Sequence, residues 1–426
     1  MNNLAWNYIP LTSAVKIYDS LRQPINSKER AKRIEGKKES DLFPYYGATG
    51  QVGYIDDFLI DGEYILLGED GAPFLDALAK KAYIINGKSW VNNHAHILQS
   101  KTNNKFLYFY LNYFDYKDYV SGTTRLKLTQ ARMKQIPVPV PSLPEQERIV
   151  ARIEELFSEL DKAVETLKTT KQQLAVYRQA VLKEAFEGKY TSRWRKQHPD
   201  ISPMSDFNSI KFNSPNFKDT SSDETSINLN LPASWFQIRL GEIFEVEIGA
   251  TPSRKTSEYW GGNINWVSSG EVHFNDTKEY ITENGLKNSS TNLQPIGTVM
   301  LAMIGEGKTR GQAAILNIPA AHNQNTAAIL VSKTPCQPQY VYYFLEINYE
   351  NIRRIGSGNN QKALNKERVR ALLFPFCSFK EQKIIVKEIE SRLSICDQIE
   401  KTIEQSLQQA EAMRQSILKQ AFEGRL

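Results

Sequence analysis

The sequence predicts an α+β fold: two α/β domains separated by two long antiparallel coiled-coil helices, together a pseudo-twofold tandem duplication. Three observations predict it. The chain repeats itself, each copy of the repeat carries a sustained heptad, and short β-like runs precede each heptad.

The repeat sets the domain plan. Residues 121–190 align without a gap to 357–426, an offset of 236, with 25 of 70 positions identical. Glu145-Gln146 matches Glu381-Gln382, Ile149-Val150 matches Ile385-Val386, and Asp161 matches Asp397. Ala185-Phe186-Glu187-Gly188 returns as Ala421-Phe422-Glu423-Gly424. A weaker echo at offset 232 pairs Asn93, Ile97 and Leu98 with Asn325, Ile329 and Leu330.

Each copy reads as a long helix. The first seam runs Ile149, Ile153, Leu156, Leu160, Ala163, Leu167, Leu174, Tyr177, Val181; the second runs Ile385, Ile389, Cys396, Ile399, Ile403, Ala410, Met413, Ile417. Apolar residues alternating at four and three argue a coiled-coil seam. Proline-rich segments precede the helices, and Gly188 and Gly424 follow them, as helix punctuation requires. Two amphipathic helices packed on their own domains are the alternative, but forty residues of heptad are long for that. The expected bounds are a first domain at 1–143, a helix at 144–190, a polar linker at 191–230, a second domain at 231–379 and a second helix at 380–426. Tyr64-Ile65-Leu66-Leu67, Tyr83-Ile84-Ile85 and Thr298-Val299-Met300-Leu301 are the strand-like runs of the two domains. The linker is expected to be solvated, because residues 196–230 are more than half Ser, Asn, Asp or Pro.

Composition narrows the function. The 426 residues are 41% hydrophobic and 24% charged, with mean hydropathy −0.47, which fits two or three globular domains. Net charge is only +5, which excludes a histone-like tail but leaves room for local basic patches. Cys336, Cys377 and Cys396 form no C-x-x-C, so neither a zinc site nor a disulfide framework is expected. With no long apolar run and no signal-like start, a cytoplasmic protein is the expectation.

Catalytic motifs turn out to be decoys. Ala302 to Thr309 imitates a phosphate loop, but Ala313-Ala314-Ile315-Leu316 behind it reads as a strand, where a helix is needed. A glycine hairpin carrying Lys308 and Arg310 fits better, touching a nucleic-acid backbone or simply solvated. His94 and His96 alternate on one strand face without a carboxylate at ligand spacing, so they read as a structural pair and no metal is expected. No catalytic residue is assigned. What remains is basic and aromatic. Lys28, Arg30, Lys32, Arg33, Lys37 and Lys38 lead into Tyr45, Tyr46 and Thr49. Arg125 and Lys127 precede the first helix; Gln361 and Lys362 precede the second. The second domain offers Arg254, Lys255, Trp266, Ser268, Lys308 and Arg310. Such side chains neutralise phosphates and reach sugar and base edges, so these are the candidate DNA-binding residues.

Ile136-Pro137-Val138-Pro139-Val140-Pro141, then Leu143-Pro144-Glu145-Gln146 and the duplicated Ala-Phe-Glu-Gly ending, resemble the type I restriction-modification DNA specificity subunit family. Trp6 with Ile9-Pro10-Leu11, and Leu231-Pro232 with Trp235, resemble its domain openings. The second signature departs from the pattern, with Phe374-Pro375-Phe376-Cys377 where the first copy has more prolines. The resemblance implies two target-recognition domains, each reading half of a bipartite, asymmetric double-stranded DNA site. It implies paired spacer helices that dock two methyltransferase subunits and, where the complex also restricts, two restriction/translocase subunits. S-adenosylmethionine, ATP and Mg then belong to those partners and not to this chain. The alternative is a coiled-coil adaptor whose domains bind protein or glycan.

Overall fold

The computed structural model describes residues 6–210, 229–271, 277–305, 307–354 and 364–426. The chain divides into two units, residues 1–170 with 402–426, and residues 171–401.

In the first unit β1 (Tyr8–Pro10) pairs antiparallel with β9 (Pro137–Pro139), the proline-rich segment. Prolines are tolerated because the ribbon has only two strands, both of them edges. The strands β2 (Val15–Ile17), β5 (Tyr64–Gly68), β6 (Ala82–Ile85) and β8 (Ala95–Ser100) form a sheet in the order β2-β8-β5-β6. A second sheet, ordered β4-β3-β7, contains β3 (Phe43–Gly47), β4 (Gly50–Ile55) and β7 (Trp90–Val91), with β3 and β7 parallel. Helix α1 (Ser27–Ile34) follows β2, and α2 (Asn104–Tyr113) follows β8. The Asn103 side chain caps α2 by accepting from the Phe106 N–H, and Phe106, Leu107, Tyr110 and Leu111 face the core. The long helix α3 (Leu143–Phe186) adds Ile149, Val150 and Ile153 to that core. The last residues of the other long helix, through Ile417, Leu418, Ala421 and Phe422, close it.

The second unit has the same connectivity. Strand β10 (Phe236–Arg239) pairs with β18 (Leu373–Phe376). One sheet runs β11 (Val246–Ile248), β17 (Thr326–Ile329), β14 (Val299–Ala302), β15 (Ala313–Ile315). Another runs β13 (Glu279–Ile281), β12 (Trp260–Val267), β16 (Ala321–His322), with β12 and β16 parallel. Helix α4 (Pro338–Ile347) takes the place of α2, and α5 (Phe379–Phe422) the place of α3. Leu182, Ala185 and Phe186 of α3 enter this core beside Ile385 and Ile389 of α5.

Each unit therefore closes on the tail of one helix and the head of the other, and this explains the repeated residues. Phe186 is fully buried against Tyr340 and Phe344 of α4; Phe422 meets Phe106 and Tyr110 of α2. The signature glutamines anchor the helix starts. Gln146 Nε2 donates to the Pro141 carbonyl at 3.0 Å, and Gln382 Nε2 to that of Cys377 at 3.1 Å. Gly188 and Gly424 have φ of +65° and +70°, the left-handed conformation that ends both helices.

Some expectations need correction. Ile399 and Met413, expected in the seam, are 40% and 52% exposed. The inward positions are one residue on: Glu400 accepts from Arg178 at 3.1 Å, and Arg414 pairs with Asp161. Charged residues occupy the stripe there, so hydrophobicity alone points to the wrong neighbour. Ala163 and Tyr177 give way likewise to Val164 and Arg178. The offset-232 echo is one residue out. Gly68 pairs with Ala95 and Ala302 with Thr326, so the two strands correspond at 231, and a one-residue slip in a strand exchanges its faces. Part of the supposed linker is helical and docked: Pro203–Ile210 sets Phe207 edge-on to Phe236 and Phe376, and Asp206 accepts from the Phe379 N–H at 2.8 Å. Phe207 and Ile210 packed on the core, with the Asp206 cap, override a polar composition.

Candidate nucleic-acid interface

The basic run of the first unit is α1 and the turn after it. Asn26 caps the helix by accepting from the Glu29 N–H at 2.9 Å, which lets a segment of mostly charged residues hold helical form. The helix lies against β4. Arg30 stacks 4.6 Å from the Tyr45 ring centroid, and Gly53 leaves room for it, since a Cβ there would come within 3.3 Å of the guanidinium. Arg33 Nε and Lys37 Nζ each donate to Asp56 at 2.6 Å, and Arg33 also lies 5.0 Å over Trp90. The hydrogen bond from Lys37, reinforced by Arg33, holds the Asp56 carboxyl below the usual carboxylate range. Lys28, Lys32 and Lys38 are exposed and make no ion pair with the described residues. Thr49 is exposed in the β3–β4 turn and Tyr46 half-buried, whereas Tyr45 is a core residue whose hydroxyl donates to the Ile25 carbonyl at 3.2 Å.

Arg125 and Lys127 belong to a different cluster. They pair with Asp70 at 2.7 Å and Glu69 at 3.5 Å, carboxylates on the loop after β5. Beneath them His96 is fully buried, with Nδ1 2.7 Å from Asp19 and Nε2 3.0 Å from the Leu128 carbonyl. His94 precedes the strand, half-exposed and 3.6 Å from Asp70, so the two histidines do not share one strand face as expected. Strand β8 begins only at Ala95 because the Asn92 side chain first turns the chain, accepting from the His94 N–H at 2.8 Å. Asn323 does the same for the Asn325 N–H at 3.1 Å in the second unit.

In the second unit Arg254 stacks 3.8 Å from the Trp260 centroid and 5.3 Å from that of Trp266. Both its terminal nitrogens donate to Glu279, whose carboxyl is held down by that contact. Trp266 itself is buried, donating to the Ala250 carbonyl at 3.1 Å, so it supports Arg254 from within the core. Lys255 is exposed, and the Ser268 hydroxyl and N–H both reach Glu271. Strand β15 does follow the glycine segment, so no helix N-terminus faces a phosphate there. Arg310 donates to the Arg353 carbonyl at 2.7 Å, and the Lys308 carbonyl accepts from the Tyr349 hydroxyl at 2.6 Å. Gln361 and Lys362 lie outside the described residues. Sequence reasoning missed the carboxylates Asp56, Glu69, Asp70 and Glu279 and the platforms Trp90 and Trp260; nothing in their local sequence marks them, because they meet their cations across strands.

Among the described residues no group of three or more His, Cys, Asp or Glu is placed to hold a metal ion, and no helix is long and apolar enough to cross a membrane.

A family model for the type I restriction modification DNA specificity domain matches residues 17–175 and again 232–409. A Haemophilus influenzae sequence named for a type I restriction enzyme specificity subunit, S.HindORF215P, is 35% identical over 149 residues, 34% of this chain and 36% of its own. The match thus spans little more than a third of that relative. The Escherichia coli type I restriction enzyme EcoBI specificity subunit is 24% identical over 403 residues, covering 92% of this chain and 79% of its own. Among solved structures, a chain from work on complex assembly and conformational transition of the type I R-M system aligns with TM-score 0.64 at 14% identity, covering 99% of this chain and 98% of that one. The HsdS subunit from Thermoanaerobacter tengcongensis aligns with TM-score 0.57, also at 14% identity, over 99% of this chain and 98% of its own. At that identity the likeness is one of fold. The adaptor alternative finds no support in these matches.

Proposed function

The chain belongs to the type I restriction modification DNA specificity family, and from that premise we propose that it is the sequence-specific DNA-binding subunit of a type I restriction-modification complex. The observation that carries this reading is the double match: the family domain occurs twice, on two units with the same strand order and different surface residues. Two similar scaffolds with different surfaces suit a bipartite, asymmetric site, each unit reading one half. Phosphate contacts fix register, and each good base contact supplies about 1–3 kcal/mol of discrimination. Lys28, Arg30, Lys32, Lys38, Thr49 and Tyr46 are the proposed contacts of the first unit, with Arg254, Lys255, Ser268, Lys308 and Arg310 in the second. Arg33, Lys37, Arg125, Lys127 and also Arg254 reach DNA only by leaving their carboxylates.

The long helices act as the spacer between half-sites and as the dock for two methyltransferase subunits, with restriction/translocase subunits added in a restricting complex. S-adenosylmethionine, ATP and Mg serve those partners, while this chain contributes discrimination and no chemistry. Single-molecule sequencing of adenine methylation, with and without this gene, tests the proposal. One split motif should lose methylation on deletion, and a methylome that keeps every motif while the partner subunits are expressed overturns it.

A further inference from the structure

Each unit carries a cavity against the corresponding helix, α2 in the first and α4 in the second, and the residue at one corresponding position of that helix differs in kind. In the first unit a cavity of about 580 Å³ lies among the loop after β5, helix α2 and the two long helices, lined by Asp76, Asn112, Phe157, Glu411 and Arg414. In the second a cavity of about 550 Å³ lies between the loop after β14 and helix α4. The helices correspond through their aromatic contacts, Phe106 and Tyr110 meeting Phe422 as Tyr340 and Phe344 meet Phe186. Tyr108 then corresponds to Tyr342, and Asn112 to Glu346.

Asn112 is fully engaged. Its Oδ1 accepts from the N–H groups of Lys81 and Ala82 at 2.8 and 3.2 Å, and its Nδ2 donates to the carbonyls of Ala82 and Tyr108, each at 3.0 Å. Glu346 makes no side-chain hydrogen bond or ion pair with the described residues, although burial pushes its carboxyl above the usual range. Neither cation of the cavity is set against it. Lys308 is exposed at the rim, and Arg353 is turned to the Arg310 carbonyl at 3.2 Å and the Tyr349 hydroxyl at 3.1 Å. A largely desolvated carboxylate without a partner costs stability, and such a group in a cleft marks a candidate binding site.

We propose that this cavity binds an aliphatic di- or polyamine, one ammonium against Glu346 and the methylene chain along Tyr342. The ligand class follows from the lining. A carboxylate accepts only, and a guest ammonium supplies the donors that Lys308 and Arg353, the cations of the same lining, do not give it. The Tyr342 face attracts a cation as the Tyr349 face holds Arg353 at 5.3 Å, the volume suits a small molecule, and exposed Glu350 on the same wall meets a second ammonium. The proposal does not rest on the DNA reading, and its test contains no DNA.

Titrating the full chain with 1,4-diaminobutane at pH 7.5, followed by calorimetry, should show saturable binding. Glu346→Gln should weaken binding about tenfold or more, the loss of a charge-assisted contact. Tyr342→Leu, which keeps the carboxylate, should weaken it about threefold. Glu346→Gln relieves an unpaired charge, so a melting temperature no lower than that of the parent chain shows that it folds. No saturable binding, or binding unchanged by Glu346→Gln, overturns the proposal.

Discussion

Arg178 of α3 donates to Asp397 of α5 at 2.6 Å, and the same pair recurs 236 residues along as Arg414 with Asp161. Both arginines sit where the heptad calls for an apolar residue. Polar groups in a seam fix register and orientation at some cost in stability. In each unit the contacts run antiparallel: Lys171 reaches Glu400 while Arg178 reaches Asp397, and Arg148 reaches the Leu426 carbonyl while Asp161 meets Arg414. Reversing one charge, Arg178→Glu, should lower stability of the second unit by about 1 kcal/mol, and adding Asp397→Arg should restore most of it. Urea unfolding of the two variants and their combination measures the coupling. Additive losses mean the pair does not set register.

The repeated phenylalanines should be costly to remove. Phe186 is fully buried, and Phe422 is 5% exposed among three aromatic rings of α2. Phe186→Ala and Phe422→Ala should each cost about 3–5 kcal/mol. The first should lower only the transition of the second unit and the second only that of the first, resolved by calorimetry with limited proteolysis. Loss of both transitions together in either variant contradicts this assignment.

How much of this was legible beforehand depended on whether a residue acts locally. The repeat exposed Gln146, Gln382, Phe186 and Phe422 as important because identity at a fixed offset needs no geometry. It also held Arg178 and Arg414, but a seam judged by hydrophobicity passes over an arginine. The domain surfaces were harder. Tyr45 and Trp266 look like contact residues in sequence and are core residues in space, while Asp56 and Glu279 set the electrostatics of cations they are distant from in sequence. Pairing across strands has no signature in one strand alone.

His322 gives the second unit an acid limit. It is fully buried, neither ring nitrogen has a hydrogen-bond partner among the described residues, and burial pushes the imidazole down to about 4. A free histidine titrates near 6.5, so the unfolded chain takes up the proton first. The stabilisation is therefore whole above about pH 6.5 and is lost as pH falls toward 4, about 2 kcal/mol by pH 5. His322→Leu should remove that slope from urea unfolding of the second unit between pH 7 and 5. An unchanged slope assigns the acid sensitivity elsewhere.

The two kinds of cation on α1 predict different DNA behaviour. Lys28 and Lys32 are exposed without ion partners among the described residues, whereas Arg33 and Lys37 share Asp56. Replacing Lys28 and Lys32 by Ala should weaken binding to all sequences alike and reduce the salt slope by about one per lost phosphate contact. Fluorescence titration of the complex on target and scrambled duplexes at several salt concentrations reads both effects. A loss confined to the target duplex would make these lysines base readers instead.

If α3 and α5 together measure the gap between half-sites, their length should be written into the recognised DNA. One heptad inserted after Thr166 in α3, with a matching heptad after Thr402 in α5, preserves the seam phase, because seven residues return the same face. The helices gain about 10 Å at 1.5 Å per residue, or about three base pairs of B-DNA. Methylation sequencing of cells carrying the lengthened chain should find both half-sequences unchanged and the spacer about three base pairs longer. A four-residue insertion in each helix should instead abolish methylation, because four residues do not complete a heptad and the seam face on one side of the insertion no longer continues on the other. An unchanged spacer in the heptad variant defeats the ruler, since the units would then be placed on DNA by something other than the helices that join them.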